Sequence, residues 1–298
     1  MGCVRRRDVL VAIGIVVVWG VNFVAIDEGL TRLPPLLFVA LRFAFTAVPA
    51  IFIVPRPQVG WRTVTALGMF MCVGQFGLLF VGMGEGMPAG LASVIMQAQA
   101  IFTVILASAL LGERPGARQV LGLAVAVSGL ALIGAERGHG VPARALLLLL
   151  AGAACWGAAN VVTRAARPAR PLSLLVYSSA VAPIPLLGLS LLLEGAHRDL
   201  TALRHVDATV MWSLTYVVVL ATFAGFGAWY WLLARYESSA VAPFSLLVPA
   251  SGLVSAWLIL SQRLTVLQAL GSLVAVGGVG LVVTANRHQR KLRSPLDL

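Results

Sequence analysis

Apolar residues run in ten long blocks, separated by short stretches that hold most of the Arg, Pro and His. The blocks fall at roughly 9–28, 35–54, 63–84, 88–111, 117–135, 143–163, 172–193, 208–234, 240–260 and 265–285. A hydrocarbon slab about 30 Å thick takes about 20 apolar residues per helical crossing. The pattern therefore predicts an all-α integral membrane protein of ten transmembrane helices. Almost no chain is left over for a soluble domain.

Composition agrees: 59% of the 298 residues are hydrophobic, 11% are charged, and mean hydropathy is +0.94. The net charge of +11 does not point to nucleic acid, because the basic residues cluster at block ends and not along one face. Of 22 Lys and Arg, Arg32, Arg137, Arg144, Arg198, Arg204 and Arg263 fall on one side of a ten-span layout. Arg42 lies within a crossing, which leaves 15 on the side of the N-terminus. That imbalance predicts a cytoplasmic N-terminus, and the even span count returns the C-terminus to the same side. Arg5–Arg7 precede the first block as in a signal peptide. The block is too long for one and lacks a small-residue cleavage site, so an uncleaved anchor is expected. Gly2-Cys3 does not complete a lipidation motif, since Arg6 stands where Ser or Thr is needed. Cys3, Cys72 and Cys155 lack metal-ligand spacing, and no Gly-rich phosphate loop or Ser/His/Asp set is visible. His139, His197, His205 and His288 fall in loops or the tail. Neither a metal nor a cofactor is expected.

The chain repeats itself. Leu110–Ile133 set against Ile259–Val282, a shift of 149, gives ten identities in 24 positions, among them Arg114/Arg263, Gln119/Gln268, Gly122/Gly271 and Gly129/Gly278. Trp19-Gly20 with Asn22 is echoed by Trp156-Gly157 with Asn160. The expected units are 1–138 and 139–298. Each carries five crossings, and five is odd, so the second copy enters from the opposite side. Two inverted five-helix repeats enclosing a midplane site are the architecture of many secondary transporters. Gly122/Ala126 and Gly271/Ala275 put a small-xxx-small seam on the fifth and tenth helices, predicted to pack as scaffold away from the pore.

Particular runs resemble a known family. Val18-Trp19-Gly20-Val21-Asn22-Phe23, Leu33-Pro34-Pro35-Leu36 and Leu41-Arg42-Phe43 are similar to the opening of EamA-type members of the drug/metabolite transporter superfamily. Gly86–Ser93, Gln97-Ala98-Gln99-Ala100, Gly112-Glu113-Arg114, Arg235-Tyr236-Glu237 and Val241–Pro249 extend the likeness, which is nearest to the O-acetylserine/cysteine exporter branch. It spans roughly residues 8–285. The resemblance implies ten helices, inverted repeats and export of small metabolites from the bacterial cytoplasm. Two positions depart from the pattern: Asp27 where many relatives are basic, and Gln262 where an acid would match Glu113.

Polar side chains in hydrocarbon must pair or face a wet cavity, so those far from span ends are the informative ones. Trp19 with Asn22 and Trp156 with Asn160 suit a central cavity, the rings packing a solute and the amides hydrogen-bonding it. Gln75, Gln97 and Gln99 sit at membrane depth. Gln97 and Gln99 lie roughly 200° apart around one helix, so one is expected to meet substrate while the other ties the helix to a neighbour. Trp229-Tyr230-Trp231, near Arg235, form either a cavity wall or part of an aromatic belt, and Trp229 is the position that the resemblance favours for substrate. Arg42 either binds a substrate carboxylate or forms a structural ion pair with Asp27 or Glu28. No carboxylate occurs mid-crossing, which predicts a facilitator or exchanger and not a proton antiporter. The expected function is alternating-access export, across the bacterial inner membrane, of small polar metabolites, amino acids of the cysteine/O-acetylserine type foremost. The alternative is efflux of aromatic or cationic drugs by the same fold. Partners are a small-molecule substrate and the lipid bilayer, with a monomer expected and a homodimer as the other arrangement. No enzymatic constellation is present.

Overall fold

The computed structural model describes residues 5–113, 115–135, 141–236 and 241–293, the last eleven by helical backbone alone. Cys3, Arg114, Arg137, His139, Glu237 and the 138/139 repeat boundary lie outside these residues. The described residues form helices and no strand. In chain order the helices are α1 Arg6–Leu30, α2 Pro35–Ile51, α3 Trp61–Gly84, α4 Ala89–Leu111, α5 Ala117–Ala135, α6 Ala143–Ala166, α7 Pro171–Arg204 and α8 Ala208–Arg235. They continue with α9 Val248–Leu260, preceded by a 3-10 segment over Ala242–Leu247, and α10 Val266–Arg293. Among the described residues, six helices reach the length and hydropathy of a full span. The apolar stretches Pro35–Ile51, Ala117–Ile133, Phe244–Leu260 and Val266–Val282 are shorter. A 17-residue stretch such as α2 covers about 26 Å at 1.5 Å per residue, which a bilayer accommodates by slight thinning.

Each helix starts and stops for local reasons. Pro35 and Pro171 occupy the first turns of α2 and α7, where a missing N–H costs nothing. Gly112 and Ser261 end α4 and α9 in left-handed backbone, φ 67° and 54°, and they are 149 residues apart, the repeat shift. Asp207 caps α8, its Oδ1 accepting from Val210 N at 3.0 Å. Two boundaries differ from expectation: α10 runs on to Arg293 although its apolar block ends near 285, and α7 likewise outruns its own. The apolar block ends near 193, yet α7 runs on to Arg204 through the polar turns of Ala196–Arg204. Hydropathy registers where a helix leaves the lipid and not where it stops. Glu194 on this extension reaches back to α2, accepting from Leu36 N at 2.9 Å and Leu37 N at 3.3 Å. It thereby satisfies both free N–H groups at the start of α2, since Pro34 and Pro35 have none and Phe38 N already donates to the Pro34 carbonyl.

Ion pairs confirm which ends share a face. Arg164–Glu113 (2.9 Å) joins helix ends on the N-terminal face, as does the hydrogen bond of Tyr236 to Asp8. Arg32–Asp207 (3.0 Å) and Arg144–Glu85 (3.1 Å) join ends on the opposite, distal face.

The packing maps onto itself when each helix is exchanged for the one five places on. The contacts α1–α9 and α6–α4 correspond, as do α3–α6 and α8–α1, while α2–α7, α4–α9 and α5–α10 map onto themselves. The seam between α5 and α10 shows the direction of the copies. A Cβ on Gly122 would lie 2.8 Å from the Gly278 carbonyl, and one on Gly129 would lie 2.6 Å from the Gly271 carbonyl. As the number rises on α5 it falls on α10, so the fifth helix of each half runs opposite to its copy. That antiparallel pairing is the signature of inverted repeats.

Both halves also break their helices at matched places. α3 carries a π segment over Gly68–Gln75 and α8 one over Tyr216–Ala224. α4 has a 3-10 turn at Met96–Ala98, and 149 residues on it meets the 3-10 segment Ala242–Leu247. Such departures from α geometry frequently mark functional sites.

Candidate functional site

The repeated Trp-Gly pair has a packing reason. A Cβ on Gly157 would stand 2.8 Å from Phe102 Cβ and 2.9 Å from Thr103 N, and one on Gly20 would stand 2.7 Å from the Ser251 carbonyl carbon. Only glycine lets α6 reach α4, and α1 reach α9, this closely. Close approach then brings Asn160, less than one turn further on, to α4. Its amide donates to Gln99 Oε1 at 2.7 Å and to Thr103 Oγ1 at 3.0 Å, while Thr103 donates to the Gln99 carbonyl at 2.6 Å.

The copy in the other half is unfinished. The positions 149 residues beyond Gln99 and Thr103 hold Val248 and Gly252, which offer no side-chain partner. Asn22 is buried, and its Oδ1 has none. Trp19 next to it is well tied. Its indole N–H donates to the Ala221 carbonyl at 3.0 Å in the π segment of α8, and its ring meets Phe226 and Trp229 at 5.2 and 5.3 Å. Tyr216, at the start of that segment, donates to the Val18 carbonyl at 3.0 Å.

Gln75 closes the π segment of α3, is 2% exposed, and has an unpartnered Oε1. Gln97 stands in the 3-10 turn of α4, half-buried, and its side chain makes no hydrogen bond among the described residues. Trp156 is half-buried against the central core. Tyr230 stacks on Phe226 at 6.3 Å, whereas Trp231 turns outward and takes the Arg235 guanidinium over its face at 3.9 Å. The candidates thus divide. Gln99 and Asn160 satisfy each other, Trp19 and Trp229 form an aromatic wall, and Asn22, Gln75 and Gln97 keep unused polar atoms.

The ion pair expected of Arg42 with Asp27 or Glu28 does not form. Arg42 is 3% exposed and has no acidic partner among the described residues. Its Nη2 donates to Thr222 Oγ1 at 3.4 Å, its Cζ lies 4.0 Å from the Phe76 ring centroid, and Nε and Nη1 are unpartnered. Asp27 instead lines a distal-face cavity of about 320 Å³ with Gln262, Arg263 and Gly90. Equal depth along neighbouring helices did not bring the two side chains to the same azimuth. The cavity has its own symmetry. Arg164 and Glu113, paired at 2.9 Å, stand 137 and 149 residues from Asp27 and Gln262, the same two shifts that relate the Trp pairs and the fifth helices. The distal copy therefore replaces an ion pair with an acid and an amide, and Gln262 Oε1 accepts from Gly90 N at 3.3 Å.

Thr103, Thr222 and Phe76 were not legible as partners. Only Thr103 left a trace, one turn after Gln99 on the same helix face. The matched Gln119 and Gln268 are explained without a ligand: their Oε1 atoms accept from Gly116 N (3.0 Å) and Thr265 N (3.2 Å) at the starts of α5 and α10.

Burial is uneven across the site. Asn22–Ile26, Leu36–Ala40 and Ala89–Met96, towards the distal face, are all buried. Gln97, Gln99, Phe102–Val104, Trp156, Asn160 and Phe226–Tyr230, towards the N-terminal face, are only half-buried.

The sequence model of the EamA-like transporter family matches residues 6–135 and again 143–284. The "Probable amino-acid metabolite efflux pump" of Escherichia coli is 40% identical over 295 residues, covering 97% of this chain and 98% of that protein. Its namesake in Salmonella typhimurium is 42% identical over the same length. A "Probable terminal-alkyne amino-acid exporter" of Streptantibioticus cattleyicolor is 30% identical, with 90% of each chain covered. A solved crystal structure, 19% identical, superposes with a TM-score of 0.60 over 97% of this chain and 100% of its own, and shows the same fold.

Proposed function

This chain belongs to the EamA-like transporter family, so it is a multi-pass membrane transporter of small molecules and not an enzyme, and we propose that it exports amino acids of the cysteine/O-acetylserine type across a bacterial inner membrane. The observation that carries the reading is that each Trp-Gly helix packs closely into the opposite half, α1 on α9 and α6 on α4, beside matched helix breaks. That is where inverted repeats form a midplane site. Relatives named as amino-acid exporters support the substrate class.

In this reading residues 1–138 and 139–298 are the two repeats, and rocking one against the other exposes the site alternately. The site is made of Trp19, Asn22, Gln75, Gln97, Gln99, Trp156, Asn160 and Trp229. The bias of 15 Lys and Arg to 6 puts the N-terminal face and both termini in the cytoplasm. The buried distal half is then a closed outer gate, and this conformation faces inward. With no carboxylate among the site residues, the protein works as a facilitator or exchanger and as a monomer.

Counterflow in proteoliposomes, with a labelled amino-acid panel that includes cysteine and O-acetylserine, tests the reading. Wild type should exchange members of the panel, and a protonophore should leave the rate unchanged; abolished exchange would overturn the facilitator mechanism. N22A, Q75A and W156A should each lower exchange at least tenfold with normal membrane insertion. Wild-type rates in all three would dismantle the site.

A further inference from the structure

Arg42 lies within the span of α2 without a counter-charge, and this is the strongest unexplained feature of the molecule. A guanidinium carries five N–H donors, of which one reaches Thr222 Oγ1 at 3.4 Å. Nε and Nη1 have no partner although they are buried. What holds the charge is aromatic: the rings of Phe76, Phe43 and Phe80 lie 4.0, 5.5 and 6.0 Å from Cζ. A cation over such faces is attracted to them, but the contact leaves its donors unused and its charge unneutralised.

The acceptors left over nearby in depth are of the complementary kind. Asn22, Arg42 and Gln75 lie about 10–14 Å below the distal ends of their helices at 1.5 Å per residue. Asn22 Oδ1 and Gln75 Oε1 are both buried and unpartnered. Gln75 precedes Phe76, the ring beneath the guanidinium. One layer of the bundle therefore offers unused donors with a positive charge and unused neutral oxygens, and no carboxylate. An α-amino acid needs that set: a cation for its carboxylate and neutral acceptors for its ammonium.

We propose that Arg42 anchors the carboxylate of the transported solute, so that a free carboxylate is required for transport; this rests on the transport reading above. Arg42 reaches Phe76, at the end of one π segment, and Thr222, inside the other. An anion bound there touches both halves where each helix is already broken. The site is single. Seven residues after the first-turn proline, where α2 has Arg42, α7 has Ser178, so the two-fold copy carries no charge.

Two measurements test this on the purified full chain. In counterflow, free amino acids should compete at least 30-fold better than the same amino acids with the carboxylate converted to the amide. R42Q should lose exchange at least tenfold, and R42K should keep part of it. Competition by amides within threefold of the acids, or R42Q at wild-type rates, overturns the proposal. If wild type exchanges nothing in the panel, the transport reading fails by itself. The anchor is then judged by thermal stabilisation of the detergent-solubilised protein with acetate, propionate and benzoate against acetamide, propionamide and benzamide. Stabilisation by the acids alone, lost in R42Q and partly kept in R42K, supports the anchor, and none with any acid overturns it. Matched elution of the variants on size exclusion separates a lost anchor from a misfolded chain, and if R42Q elutes aggregated, R42K decides alone.

Discussion

Gly277 and Gly278 are neighbours on α10 and make opposite predictions. A Cβ on Gly278 would stand 2.7 Å from Ala126 Cα and 2.7 Å from the Gly122 carbonyl, whereas one on Gly277 meets nothing within 4 Å. The obstacles to Gly278→Ala are backbone atoms of α5, so relief requires the two helices to separate. The seam is long: Gly122, Gly129, Gly271 and Gly278 all make such approaches, and separation weakens them together. Overpacking a close interface costs about 1–3 kcal/mol. Both substitutions gain the same helix propensity, about 0.5–1 kcal/mol for Gly to Ala. The difference between them therefore isolates the packing cost: Gly278→Ala should be less stable than Gly277→Ala by about 1–3 kcal/mol. Helicity followed by far-UV circular dichroism through an SDS titration in mixed micelles measures it. Two variants that unfold within about 0.5 kcal/mol of each other would refute an α5–α10 seam built on backbone contact.

Three further outcomes follow from named contacts. Glu194→Ala removes the acceptor for Leu36 N and Leu37 N and should cost about 1 kcal/mol, as loss of a helix cap does, read by the same titration. Asn160→Ala and Gln99→Ala should each cost about 0.6–2 kcal/mol, and the double variant should cost less than their sum, because one hydrogen bond is removed by either; strict additivity would deny the bond. Arg164→Ala should change stability by no more than about 1 kcal/mol, since the Arg164–Glu113 side chains are 48% and 39% exposed.

The spans themselves were legible because lipid imposes a length and a polarity on every crossing, and eight of the ten apolar blocks end within about one turn of an observed helix end. The exceptions, α7 and α10, show the limit of the signal: their last turns are polar and outside the hydrocarbon. The repeat was legible too, since Gly122/Gly271 and Gly129/Gly278 are held in place by backbone contacts that any other side chain would block. The site was legible only as a set of residue types. Gln97 and Gln99 look alike in sequence; Asn160 and Thr103 occupy Gln99 and leave Gln97 free. Asn22 and Asn160 look equivalent, yet only one finds a partner, because Val248 and Gly252 stand opposite the other. Sequence by itself determined a ten-span membrane protein with an odd-numbered repeat, because hydropathy and internal identity are properties of the chain. Tertiary structure alone decided that Arg42 has no acid beside it, that Asp27 belongs to a different cavity, and that Glu194 caps a helix 158 residues away. Which side chains meet depends on how helices rotate about their axes, and that rotation is set by glycine contacts between elements distant in the chain.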